Sequence, residues 1–346
     1  MTISKILIIR SSSIGDILLA SPLLRLLRRR FQTACIDFVV KKQFYDLLRM
    51  NPNIDHIHTF DPHAGISSLI DLKKRIRDER YDLVIDIHDN FRSHYLRSIA
   101  RAQIVKIKKY KWPRFFLVTC GWNFYSAVVP VYQRYLYTVS HLGITDDGLG
   151  LDFYLDPDVQ TSIHARLGDA GFQFDRLTLC IAPGASFATK RWPVDSFALV
   201  AKRAADELDA QIVLLGDVKD AELTHYIAGQ VERSVYDLAG QLTLMESACA
   251  LRFAHLMLTN DTGLMHLATA FKMPTIAIFG PTVKELGFFP VGPHASVIER
   301  TGLSCRPCTH TGRKKCPKKH FKCMREISPE QIFDEVVTAL QGQSHS

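Results

Sequence analysis

No apolar stretch of this 346-residue chain approaches the roughly 18 residues that a membrane-spanning helix requires, so no helix is expected to cross a bilayer. The opening MTISKILIIRSSS is not expected to act as a secretion signal: its apolar run, Ile6 to Ile9, is short and stops at Arg10. A cytoplasmic location is the expectation. The first loop lacks the three glycines of a dinucleotide fingerprint and holds only Gly15, which argues against nicotinamide binding there. The one D-x-D triplet, Asp156–Asp158, contains Pro157 in an expected linker, and no metal is assigned to it. No short-period repeat is visible. What the chain does have, 47% hydrophobic and 10% aromatic residues, excludes disorder over most of its length and suffices for two cores.

The net charge of +8 is unevenly divided. Residues 1–150 carry 23 Lys and Arg against 13 Asp and Glu, whereas residues 151–346 carry 20 against 22. Nine of those 20 fall between Arg300 and Arg325. A basic N-terminal half attracts an anionic surface or substrate, and a solvated basic face is the plainer alternative.

Short β-branched runs alternate with amphipathic stretches. Strands are expected at Lys5–Arg10, Cys35–Val40, Asp55–Phe60, Leu83–Ile87 and Ile104–Ile107, separated by helical segments at Ile17–Phe31, Phe44–Met50, Ser67–Arg77 and Phe91–Ala100. Composition shifts near residues 145–160, and the junction is placed at the Asp156-Pro157-Asp158 turn. The alternation restarts with strands at Leu177–Ala182, Gln211–Leu215, Leu256–Thr259 and Thr275–Phe279. Helices are expected at Val194–Glu207, Asp220–Val231, Leu244–Phe253 and Leu264–Phe271, and Ser328-Pro329-Glu330 opens a last one through Leu340. The pattern predicts an α/β chain: two Rossmann-like domains, residues 1–155 and 156–327, facing across a cleft, then a C-terminal helix and tail over 328–346. Ligands of such sheets bind beyond the carboxyl ends of the strands, and two such edges suit two substrates.

Several strand ends carry chemistry. The first runs into Ser11-Ser12-Ser13-Ile14-Gly15-Asp16, offering hydroxyls, a permissive glycine and a carboxylate, although Asp16 also suits a helix's first turn. Lys190, before Trp192-Pro193 and a helix, can act as a point charge on a diphosphate or be a surface lysine. Asp217, Asp220 and Glu222 follow Gly216, where carboxylates hold ribose hydroxyls or complement a helix dipole. The sharpest segment is Thr259-Asn260-Asp261-Thr262-Gly263-Leu264-Met265-His266-Leu267-Ala268. The Thr262, Gly263 and Leu264 amides at a helix start make a ready anion site, with Asp261 better suited to a sugar hydroxyl or water. His266 is either a ligand contact or a packed helix residue.

Together these segments resemble the ADP-heptose:lipopolysaccharide heptosyltransferases, the family 9 glycosyltransferases. The resemblance runs over Ile6–Arg30, Tyr81–Arg92, Ala182–Pro193, Leu214–Asp220, Asn260–Ala268 and Phe279–Thr282, nearly the full chain in order. It implies a GT-B fold and inverting transfer from a nucleotide-activated heptose, residues 1–155 binding acceptor and 156–327 donor. It further implies Asp16 as general base, Lys190 on the diphosphate, Asp261, Thr262 and Gly263 on the donor, and Asp220 near its ribose. Leu264 and His266 join the donor candidates; Ser12, Ser13, Gly15, His88, Arg92, Lys109 and Lys111 are the acceptor candidates. A metal is then not obligatory for the chemistry. The family's Gln-Gly-Asn-x-x-Arg segment here reads His88-Asp89-Asn90-Phe91-Arg92, a departure that bears on acceptor identity.

Two features stand apart. Arg25, Arg28, Arg29 and Arg30, and the run of Lys106, Lys108, Lys109, Lys111 and Arg114 among Tyr110, Trp112, Phe115 and Phe116, suit anionic headgroups or a phosphorylated glycolipid. The implied partners are ADP-heptose, an anionic glycolipid acceptor and the inner face of the inner membrane. Cys305, Cys308, Cys316 and Cys323 have spacing that suits structural zinc, with His310 and His320 as substitutes; cytosolic disulfides are disfavoured and unligated thiols stay open. Cys35, Cys120, Cys180 and Cys249 read as reduced core residues. A related glycosyltransferase with another sugar or acceptor is the near alternative. A nucleic-acid-binding protein with a zinc knuckle is the remote one; it leaves Asp16 and the Asp-Thr-Gly turn without a purpose, so no nucleic acid is expected.

Overall fold

The computed structural model describes residues 3–98, 102–232 and 234–341. Two compact units emerge: residues 1–109 with 129–154, and residues 110–128 with 155–346. Segment 110–128, placed by sequence in the first domain, therefore belongs to the second unit. So does the terminal helix, observed at Pro329–Gln341. The expected tail beyond it, residues 342–346, lies outside the described residues, as do the last residues of the helix expected at Phe91–Ala100, observed over Phe91–Arg97.

The first unit holds β1 (Lys5–Ile9), β2 (Cys35–Lys41), β3 (His56–Phe60), β4 (Leu83–Asp86) and β5 (Gln103–Lys106). They form one parallel sheet in the order β3-β2-β1-β4-β5. Leu7, Ile9, Val39 and Val84 pack on Leu69, Leu72 and Ile76 of the helix Gly65–Glu79. Central strands covered on both faces explain the unbroken apolar runs. The helix expected at Ile17–Phe31 is two, Ile14–Leu18 and Ser21–Arg30. Pro22 lacks the amide that would continue the first helix, and the Ser21 hydroxyl caps the freed Leu18 carbonyl at 2.7 Å. The segment expected at Phe44–Met50 is a 3₁₀ turn, Lys42–Leu47.

The second unit holds β6 (Thr178–Ala182), β7 (Gln211–Leu214), β8 (Val235–Asp237), β9 (Leu256–Asn260), β10 (Thr275–Phe279) and β11 (Ala295–Glu299), all parallel in the order β11-β10-β9-β6-β7-β8. Leu179, Ile181, Ile212 and Leu258 meet Phe197, Val200 and Ala201 of the helix Val194–Glu207, with Phe333 and Val336 of the terminal helix in the same core. Each unit is Rossmann-like, as a GT-B-like α/β plan requires. Asp156 is not a linker turn: its carboxylate accepts from the Asp158 and Val159 amides and caps the helix Pro157–Asp169.

Candidate active site

Adjacent strands β1 and β4 lie where the order of the first sheet reverses, which is where such sheets bind ligands. After β1 comes Arg10, then the serine loop. The Asp16 carboxylate, 14% exposed, takes the Arg10 guanidinium at 2.5 Å on Oδ1. The Tyr135 hydroxyl lies 3.4 Å from the same oxygen. Oδ2 accepts from the Ser13 hydroxyl at 2.8 Å and the Ser13 amide at 3.2 Å. Burial pushes this carboxyl up, but the Arg10 charge and the Ser13 bonds outweigh it and hold it below the usual carboxylate range. Arg10 is fixed in turn by the Ile87 carbonyl at 2.8 Å and the face of the Tyr135 ring.

After β4, the buried Asp86 accepts the His88 and Asp89 amides at 3.0 and 2.7 Å and pairs with Arg97 at 3.1 Å, setting the turn. Asp89 has φ 48°, the left-handed conformation that explains a glycine at this place in the family segment; Asp is among the few side chains that tolerate it. Nδ1 of His88 accepts the Ser11 amide at 3.1 Å. Burial, then Arg10, with smaller contributions from Lys109 and Lys41, pushes His88 down to about 3, so it is neutral at physiological pH. Asn90 caps the helix Phe91–Arg97 through the Ser93 amide. Lys109 donates to the Asp89 carbonyl at 2.9 Å. Arg92 is exposed near Lys41. The structure thus gathers Ser13, Gly15, Asp16, His88 and Lys109 with half-buried Ser12 around one strand edge. Lys111 belongs to the second unit, in the helix Lys111–Cys120.

In the second sheet the ends of β10, β9, β6 and β7 lie side by side. Asn260 anchors its neighbours: its side chain accepts the Trp192 amide at 3.0 Å and donates to the Pro183 carbonyl at 2.7 Å. Lys190 lies 2.6 Å from Asp261, whose Oδ2 also accepts the Thr282 hydroxyl at 2.9 Å. Thr262, in extended conformation, precedes the helix Gly263–Ala270, so the first-turn amides lack intrahelical acceptors. Leu264 is half-buried there; His266 is 3% exposed, a packed position. Asp220 sits between two glycines: a Cβ on Gly184 would lie 2.2 Å from its Cγ, and one on Gly216 2.8 Å from its Cβ. Burial raises its carboxyl, opposed by the Asp217 amide and by Arg191. The Arg191 guanidinium stands 3.4 Å from Asp220 and is held by the Ala185 carbonyl at 3.0 Å. Cation, carboxylate and free amides on one edge can bind a sugar diphosphate. Sequence reasoning missed Arg10, Tyr135, Arg97, Arg191 and Thr282; for Arg10 and Arg191, the signal was a charged residue immediately after a strand or beside a named motif.

The cysteine-rich loop buttresses this edge. Arg313 exchanges bonds with Thr189: its amide donates to the Thr189 hydroxyl at 2.8 Å and its carbonyl accepts the Thr189 amide at 3.1 Å. Arg306 donates to the Thr282 carbonyl at 2.9 Å and pairs with Glu299 at 2.7 Å. The four loop thiols are electrostatic neighbours, and Cys305 lies 3.8 Å from His320. Their ligand atoms do not, however, gather within 4.8 Å in any set of three, so the expected zinc cluster is not assembled among the described residues. Burial pushes the Cys323 thiol up to about 11. Of the scattered cysteines, Cys180 and Cys249 are buried as expected, whereas Cys120 is exposed and Cys35 half-buried among polar groups. The arginine cluster is largely neutralised: Arg25 pairs with Asp147 and Asp152, and Arg28 with Asp55.

A model of glycosyltransferase family 9 (heptosyltransferase) matches residues 69–320. Lipooligosaccharide heptosyltransferase 2 of Campylobacter jejuni is 29% identical over 98% of this chain and 99% of its own. Among solved structures, a family 9 glycosyl transferase from Veillonella parvula superposes with TM-score 0.82 at 24% identity, covering 98% of both chains. The Escherichia coli ADP-heptose lps heptosyltransferase II does so with TM-score 0.76 at 21% identity, covering 98% of this chain and 99% of that one. The chain belongs to glycosyltransferase family 9, the heptosyltransferases, and is an enzyme of that class.

Proposed function

We propose that this enzyme transfers a heptose from ADP-heptose to an inner-core acceptor of lipopolysaccharide, with inversion at the anomeric carbon. The observation that carries the reading is the pair of built strand edges: a half-buried, oriented carboxylate in the first unit and a cationic, amide-rich edge in the second. The acceptor hydroxyl oxygen bonds to the anomeric carbon as the bond from that carbon to the diphosphate oxygen breaks. Its proton passes to Asp16, and the electron pair leaves with ADP. Base assistance of this kind contributes about 10²–10⁴-fold. Both Asp16 oxygens are already engaged, so the hydroxyl enters by displacing the weakest partner, the Tyr135 hydroxyl at 3.4 Å. Charge growing on the diphosphate is met by Lys190, by Arg191 and by the Gly263 and Leu264 amides, so the reading calls on no metal. Neutral His88, whose Nδ1 accepts the Ser11 amide, carries its proton on Nε2 and donates to a sugar hydroxyl, and Lys109 with Arg92 faces acceptor anions.

The second unit also carries an exposed aromatic face on Lys111–Cys120 and the residues after it. Trp112 is 73% and Trp122 59% exposed, and Lys111 and Arg114 line a cavity of about 460 Å³ with Trp112, Phe115 and His310. Rings beside cations suit anionic headgroups, and this face is assigned to peripheral contact with the cytoplasmic side of the inner membrane. A donor panel tests the catalytic reading. ADP release from ADP-heptose with a heptose-deficient lipopolysaccharide is expected; equal turnover of another nucleotide sugar would identify a related transferase instead.

A further inference from the structure

A second cluster of reactive side chains lies at the opposite edge of the first sheet, where β2 and β3 begin. Cys35 and Asp37 are two residues apart on β2 and share a face, and Asp37 is the register partner of His56 on β3. The three present one atom each to a common point. Cys35 Sγ is 3.2 Å from Asp37 Oδ1 and 3.6 Å from His56 Nδ1, and His56 Nδ1 is 3.0 Å from the same carboxylate oxygen. A catalytic relay would use the two ring nitrogens of the histidine in series. Here a single nitrogen faces both partners, which is convergence on a point rather than a chain.

We propose that Cys35, Asp37 and His56 form a three-ligand site for a thiophilic divalent cation of the zinc class, its fourth position open to solvent. Tetrahedral zinc with ordinary bond lengths sets its ligand atoms about 3.4–3.6 Å apart, so the triangle closes on an ion by widening a few tenths of an ångström. The outer shell is in place. Asp37, 1% exposed, has its other oxygen fixed by the Tyr81 hydroxyl at 2.5 Å and by His58 Nε2 at 3.3 Å, leaving Oδ1 for the cation. The His56 side chain is 68% exposed, which gives an entry path. Neighbouring charges are mostly committed elsewhere: Lys5 to Glu79, and Asp55 to Arg28 and the Ile36 amide. Binding replaces the S–H bond with a metal–sulfur bond and releases one proton to solvent. The site lies at the strand starts, away from the serine loop that follows β1, so transfer does not depend on it.

The test is zinc stoichiometry of the full chain after equilibration with Zn²⁺ and removal of excess. Cys35→Ser and His56→Ala are each expected to bind one equivalent less than the unaltered protein while retaining heptosyl transfer, whatever the C-terminal cysteines hold. Tyr81→Phe is expected to weaken that equivalent about 10–100-fold. Zn²⁺ is also expected to shield Cys35 from alkylation, mapped by peptide mass, in the unaltered protein and not in His56→Ala. Equal zinc content in all variants, or Cys35 alkylation indifferent to Zn²⁺, overturns the proposal. Because His56 is exposed, its replacement tests the site without disturbing the core.

Discussion

Replacing Arg10 with methionine tests how Asp16 is kept ionised. The two side chains are 11% and 14% exposed and 2.5 Å apart. At an effective dielectric near 20, charges about 4 Å apart interact by about 4 kcal/mol, or about 3 pKa units. Measured carboxylates beside arginine are lowered by about 1–3 units, the scale adopted here. In the intact protein the Asp16 carboxyl lies below its ordinary value, so the base is ionised above the usual carboxylate range and is lost only as pH falls through the lowered value. Without Arg10, burial is opposed by the Ser13 bonds and the longer Tyr135 contact, and the carboxyl rises. The acid limb of kcat/KM is therefore expected to move up by about 1–3 pH units in Arg10→Met and to stay low in Arg10→Lys, which keeps the charge. Loss of a buried partner also destabilises, by about 3–5 kcal/mol. Profiles are accordingly recorded below the melting temperature, with circular dichroism at each pH. An acid limb in Arg10→Met that superimposes on the unaltered profile would refute the coupling of Arg10 to the base.

Three other outcomes follow from local geometry. Lys190→Ala removes the cation beside Asp261 and is expected to weaken ADP binding by about tenfold or more and to lower turnover as well, read by calorimetry and steady-state kinetics. Gly184→Ala drives a methyl into the Asp220 carboxylate; a stability loss of about 1–3 kcal/mol in denaturant titration is expected, with weaker donor binding, and an unchanged midpoint would show that Asp220 is free to move. Asp156→Ala removes the cap of Pro157–Asp169 and is expected to cost about 1 kcal/mol with kinetics unaltered.

The two parallel sheets were legible because their central strands are apolar on both faces and stop at recognisable loops. Nine strands were placed to within about two residues; the two missed, β8 and β11, are edge strands, only half-buried and mixed in composition. The same physics explains the helix breaks. Pro22 inside an apolar periodic run reads as one helix until its missing amide is counted. Asp156-Pro157 signals a turn and a helix start equally well, and only the caps decide. At the site, motif residues were found because they follow strands closely, whereas Tyr135 reaches Asp16 from a helix 119 residues away that no local spacing reveals, and Arg97 returns to Asp86 from the far end of the helix after β4. Lys111 was grouped with Lys109 by sequence proximity, yet the boundary between units falls between them. The cysteine spacing pointed to zinc at the C-terminal loop, while the triangle of ligands forms at Cys35, Asp37 and His56 through strand register, which sequence separation conceals.

The most direct measurement is single-turnover transfer by Asp16→Asn alongside its affinity for ADP-heptose. Asparagine keeps the size of the side chain and an oxygen for Ser13 while removing the charge and the basic oxygen. Donor affinity within a few-fold of the unaltered enzyme, with the chemical step slowed by about 10²-fold or more, is the expected result. A chemical step within tenfold of the unaltered rate would contradict Asp16 as the base.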